Sequence, residues 1–235
     1  MATIVWPRTP LIRFRAGANI DLLPRSTSGP PSALGQSQSV SSSAGVWSIV
    51  YTDVFAVGDQ GVLLWRALEA LIEGRSNAIL LPVYERPSRT PSGYAGAAIE
   101  DIAGLAAHGD GAAHGDGAPY TASGGVQAIV AGAVARGAVD WTLQVYGLAP
   151  LHAGAHFSVG DRLYRVKSIV STDGSTIAVR AWPPARSAVL AGSVCETVNL
   201  VCRVRLAADK GLGLRAEHQN RHGVAAQLAT IEDLD

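Results

Sequence analysis

Only one stretch of the 235 residues carries a helical period; nearly everything else alternates in short runs closed by turn residues. Between residues 59 and 73, Val62, Leu63, Leu64, Ala67, Leu68, Leu71 and Ile72 recur at spacings of three and four, the mark of an amphipathic helix. Asp59 can accept from the free amides at its start and Gly74 can take the left-handed stop. Arg66, Glu69 and Glu73 fall mainly on the other face. The rod is about 22 Å long, enough to cover one face of a sheet. A chain of this size with one helix must build most of its core from strands.

The rest of the sequence supplies them. Residues 3–15, TIVWPRTPLIRFR, alternate, with Ile12 and Phe14 on one face and Leu11, Arg13 and Arg15 on the other. Pro7 and Pro10 confine this segment to a sheet edge or a strand start, because proline has no amide to donate. Residues 24–35 read as a Pro/Ser/Gly loop, and Gln36 to Val54 as two extended segments. AILLPVYE at 78–85 returns to strand. Residues 87–125 read as linker and long surface loop, with HGDGAA at 108–113 nearly repeated at 114–118. Residues 126–146 end in the alternating run VDWTLQVY. From Leu151 to Val198 the pattern is that of a small β-barrel, with turns at Gly160-Asp161 and around Asp173-Gly174. NLVCRVRLA at 199–207 alternates again, and 208–235 has weak periodicity. The fold class expected from residues alone is all-β or β-rich with one packed helix.

Charge narrows the function. Nineteen basic and nineteen acidic residues give a formal net charge of zero, with 16% of residues charged. Coating nucleic acid needs clustered cationic charge, so nucleic-acid binding is not expected. Low charge also leaves little self-repulsion, which tolerates association. No run of 18 apolar residues is present, so no membrane insertion is expected, and Met1 to Phe14 does not read as a signal peptide.

Candidate chemistry is sparse. His108, Asp110, His114 and Asp116 supply metal-binding atoms, but a Gly/Ala-rich loop has nothing to hold them in place, and a mobile surface loop is the better reading. His152 and His156, and likewise His218 and His222, stand four apart without a HExxH helix. Gly211-Leu-Gly213 lacks the third glycine of a dinucleotide loop. Gly35–Ser39 is not a nucleophile elbow, and Glu100-Asp101 are neighbours that point apart. Cys195 and Cys202 lie seven apart; on one regular strand they face opposite sides and cannot pair, and they read as buried small hydrophobes. No catalytic residue, metal site or cofactor is expected, and the chain reads as a non-enzyme. Five tryptophans, at 6, 47, 65, 141 and 182, read first as core or subunit-interface anchors. Trp182, just before Pro183-Pro184, is the one most suited to stack on carbohydrate.

Three blocks in order carry a family resemblance. They are GQSQSVSSSAGVWSIVYTDV with the following LLWRALEALIEGRSNAILLPVY, then HGDGAPYTASGG, then LHAGAHFSVGDRLYRVKSIV with PPARSAVLAGSVCETVNLVCRVRLA. The chain resembles tail proteins of siphophages and related prophages of proteobacteria, specifically a distal tail protein or a close minor-tail relative. That resemblance implies a belt-like β-sandwich with one packed helix, six copies of which close a ring, plus a second small β-barrel-like domain inserted into it. Its domains would be residues 1–87 completed by 199–235, a linker at 88–125 and an inserted barrel at 126–198. The expected role is structural: a virion protein of the tail tip, made in the host cytoplasm, joining tail tube to tip hub. Its partners would be copies of itself, other phage tail proteins and a host surface glycan. Ring-interface candidates are Gln36, Gln38, Val40, Trp47 and Trp65, and Trp182 is the candidate for carbohydrate. Alternative roles are a tail-tube or head–tail joining subunit, or a carbohydrate-binding host-recognition module.

Overall fold

The computed structural model describes residues 2–14, 18–28, 39–84, 127–146, 151–197, 199–209, 212, 214–216 and 222–234. Among the described residues the fold is mainly β, with one helix, a mixed eight-stranded sheet and a closed six-stranded barrel. The chain divides into two compact units. One comprises Met1–Glu85 with Val201–Asp235, and the other Arg86–Leu200.

The first unit is built on a single sheet. Its strands are β1 (Thr3–Val5), β2 (Ile12–Phe14), β3 (Ala18–Ser28), β4 (Ser39–Val57), β5 (Ala78–Pro82), β12 (Val201–Leu206), β13 (Leu214–Ala216) and β14 (His222–Glu232). The order is β1-β5-β12-β14-β4-β2, with β3 also on β4 and β13 also on β14. Only β1 and β5 run parallel; the other pairs are antiparallel. β1 and β2 are short edge strands stopping beside Pro7 and Pro10, the placement expected of strands that proline interrupts. The sheet curls, so that residues from its two ends meet: Trp6, just past β1, lies 6.3 Å from Phe14 of β2, and Phe14 lies 4.2 Å from Tyr51 of β4. This curl lets one sheet enclose its own core as a sandwich does.

Helix α1 (Gly58–Ile72) packs against β4 and β14. Its buried residues are Gly61, Trp65, Leu68 and Ile72. The expected cap is corrected here. Asp59 lies inside the first turn, where its charge favours the amino end of the helix, and Val57 occupies the cap position without a side-chain bond. At the other end both Glu73 and Gly74 are left-handed, and the Glu73 amide donates to the Glu69 carbonyl.

The second unit closes on itself in the order β10-β7-β6-β11-β8-β9. These strands are β6 (Gln127–Val130), β7 (Asp140–Tyr146), β8 (His156–Val159), β9 (Arg162–Asp173), β10 (Thr176–Trp182) and β11 (Val194–Glu196). Val159 pairs with Arg162 across Gly160-Asp161, and Asp173 pairs with Thr176 across Gly174-Ser175. Both turns need a left-handed residue, and Gly160 (φ 61°) and Gly174 (φ 56°) provide it. Trp141, Phe157 and Tyr164 fill the interior with ring centroids 4.9–5.6 Å apart. Closure gives each of the six strands a neighbour on both sides over at least part of its length.

Candidate functional site

The unusual feature of the first unit is how β4 begins. β14 lies along β4 from Val57 to Ser48 and goes no further, while β3 stays with β4 down to Ser39. The first rungs therefore form a two-stranded ribbon that outruns the sheet. Within it Arg25, Ser26, Thr27 and Ser28 pair with Ser42, Ser41, Val40 and Ser39. Among the described residues, β3 has β4 as its only strand partner, and Ser39 to Ser42 have β3 as theirs. Eleven residues is long for a strand with no second partner among the described residues, because exposed edges are normally kept short.

The base of the ribbon is built for a change of direction. The register slips between Leu23 and Arg25, at Pro24, which lacks an amide. Across from it, Gly45 is buried so closely that an added Cβ would sit 2.9 Å from the Leu22 side chain and 3.3 Å from the Leu23 carbonyl. Only glycine fits this approach. On the other flank of β4, the Trp47 amide donates to the Glu232 carboxylate at 3.2 Å. Asp233 follows, its own amide bonded to the Arg203 carbonyl and its carboxylate facing Arg203 at 3.0 Å and Arg205 at 2.9 Å. Glu232 and Asp233 are both buried. Burying two carboxylates is tolerated because one accepts a backbone amide and the other is balanced by two guanidinium groups.

The ring-interface candidates fall unevenly on this arrangement. Val40 lies in the ribbon, opposite Thr27; Gln36 and Gln38 lie outside the described residues. Of the two readings open to Trp47 and Trp65, core or interface anchor, burial corrects the interface one: both side chains are fully buried inside the unit. Trp65 packs edge-on against Trp6 at 5.7 Å and donates from Nε1 to the Leu212 carbonyl. Residues absent from that set carry the geometry instead: Pro24, Gly45 and Glu232. The Pro-rich start of the loop marked the first, whereas nothing local marks Glu232, whose partner is 185 positions away.

Trp6, Trp47 and Trp65 of the first unit and Trp141 of the barrel are core residues, which leaves Trp182 of the barrel as the partly exposed tryptophan. It stands opposite Arg165 in the β9–β10 pairing, and Arg165 in turn faces His156 of β8. The Arg165 guanidinium sits 5.4 Å over the Trp182 ring, a cation–π arrangement that occupies one ring face.

The cysteines occupy β11 and β12, in different units; both are buried and neither is in a disulfide. The parity of one continuous strand therefore does not apply to them. Among the described residues no three His, Cys, Asp or Glu side chains are grouped as metal ligands would be. His152 is exposed in a loop and His156 opens β8, so neither sits on a helix. His108, Asp110, His114, Asp116, Glu100, Asp101, Gly211, Gly213 and His218 lie outside the described residues, as does the His222 side chain. No helix among the described residues is long and apolar enough to cross a membrane. No protein-family model matches the chain, and no curated protein is significantly similar to it.

Proposed function

We propose that this chain is a structural subunit of a phage tail tip, assembling with copies of itself into a ring that joins the tail tube to the tip hub. The observation that carries the proposal is the polar two-stranded ribbon. Two strands alone are marginally stable in water, so a ribbon of Ser, Thr and Arg needs support from elsewhere. Among the described residues, no second strand lies on the outer flank of β3 or on the β14 side of Ser39 to Ser42 of β4. If β3 of one copy lies against β4 of the next, every pair remains antiparallel and the contact repeats by rotation, which is how a heterologous interface closes a ring. The absence of net charge keeps copies from repelling one another. Six copies, tail-tube and hub partners, and the tail-tip location come from the family resemblance.

Mass measurement of the purified chain should give a multiple of the subunit mass that falls on dilution. Antibody against the chain should label one end of phage tails in electron micrographs. Labelling along the whole tail would favour a tube subunit instead, and labelling at the head–tail junction a joining subunit.

A second reading has one observation in its favour. Trp182 alone among the tryptophans offers ring surface to solvent, next to Arg165, which suits a barrel that binds host glycan. A glycan array comparing the wild type with Trp182→Ala tests it; identical profiles, or no binding to any host polysaccharide, remove it.

A further inference from the structure

The place where β14 stops is a fork. Ile231 pairs with Ser48, so the next rung would set Glu232 opposite Trp47. Instead the Glu232 backbone stays with Val204 of β12, and its side chain reaches across to accept the Trp47 amide. From that rung β14 follows β12 and β4 follows β3. Asp233 holds the first branch, through the Arg203 carbonyl and the Arg203 and Arg205 side chains. Pro24 and Gly45 shape the second. A side-chain carboxylate therefore stands where a backbone carbonyl would have continued the ladder.

We infer that Glu232 is a positioning residue, a latch that ends the β14–β4 ladder at a fixed rung and so sets the direction in which the ribbon leaves the sheet. A charged acceptor makes a stronger bond to an amide than a neutral carbonyl does, and in a buried setting nothing replaces it cheaply. Without it, the Trp47 amide loses the acceptor that ties its rung to the β14 side. The consequence for assembly rests on the ring proposal above; the latch itself does not.

The test compares Glu232→Met, which keeps side-chain length but has no oxygen, with Glu232→Gln, which keeps an acceptor. Amide hydrogen exchange is read across the full-length chain, and the assembled mass is measured on the same samples. Glu232→Met should exchange the Trp47 amide and residues 39–46 at least about tenfold faster, while β5 and the barrel keep wild-type rates. It should also assemble less, and Glu232→Gln should restore both readouts most of the way. Equal exchange in the two variants overturns the latch, as does loss of protection spread evenly over the whole sheet. A wild type that stays monomeric at every concentration, with the ribbon still loosened by Glu232→Met, keeps the latch and removes the ring.

Discussion

Tyr51 shows how much a single side chain can close. Its hydroxyl donates to the Pro82 carbonyl at 2.7 Å and accepts from the Tyr84 amide at 3.0 Å, tying β4 to the end of β5 across the curled sheet. Tyr51→Phe keeps the ring in its tilted contact with Phe14 but leaves both backbone groups without the hydroxyl, and should cost about 1–3 kcal/mol in urea unfolding. Burial also pushes the Tyr51 hydroxyl and the Cys195 thiol well above their ordinary pKa values. The sign follows directly. Both groups keep their protons in the fold at pH values where the unfolded chain releases them, so their contribution is complete below about pH 8.5 and declines as pH rises further. Thermal unfolding should therefore fall in midpoint from pH 8 to pH 10.5, and more steeply than in a Tyr51→Phe, Cys195→Ala double variant. Residue identity alone told which positions were apolar but not which were inside. Trp47 and Trp65 look like interface anchors until the curl of the sheet surrounds them.

The helix was legible because its period needs no partner to be seen, but its inner face only in part. Leu68 and Ile72 of the apolar set are buried against β4 and β14 as expected, whereas Leu63 and Leu71 are 59% and 58% exposed, and Gly61 and Trp65 complete the buried face. Gly61 explains the choice: only a residue without Cβ lets the helix approach, since a Cβ there would lie 2.7 Å from the Leu11 carbonyl oxygen. Gly61→Ala should lose stability by about 1–3 kcal/mol despite alanine's better helix propensity, because the obstruction is backbone that cannot turn aside. A gain in the urea midpoint would contradict this close packing. Strands were legible where branched and aromatic residues alternate, as in β7, β9, β10 and β12. β14 was not, because HGVAAQLATIE is dominated by small side chains that blur the alternation. β4 read as two segments rather than one 19-residue strand, since its partners change along its length and sequence spacing does not reveal partners.

Among the described residues, the strands form two hydrogen-bonding systems, a closed barrel and a sheet that does not close. The mainly β class with one packed helix and a barrel could be read from turn spacing, because hairpins pair neighbours in sequence. The open sheet could not be drawn the same way: β4 meets β14 across more than 160 residues. A chain stopped after residue 206 lacks the strand that joins β12 to β4. Its amides in β4 and β5 should lose protection, while those around Trp141, Phe157 and Tyr164 keep theirs, measured by hydrogen exchange. Equal loss in both would show that the barrel depends on the sheet. The late position of β14 also orders events on the ribosome. The barrel can complete itself while translation continues, but β4 and β12 must wait with unmatched flanks until residues 222–232 emerge. During that interval the nascent chain is at its most prone to pair wrongly with its neighbours on a polysome.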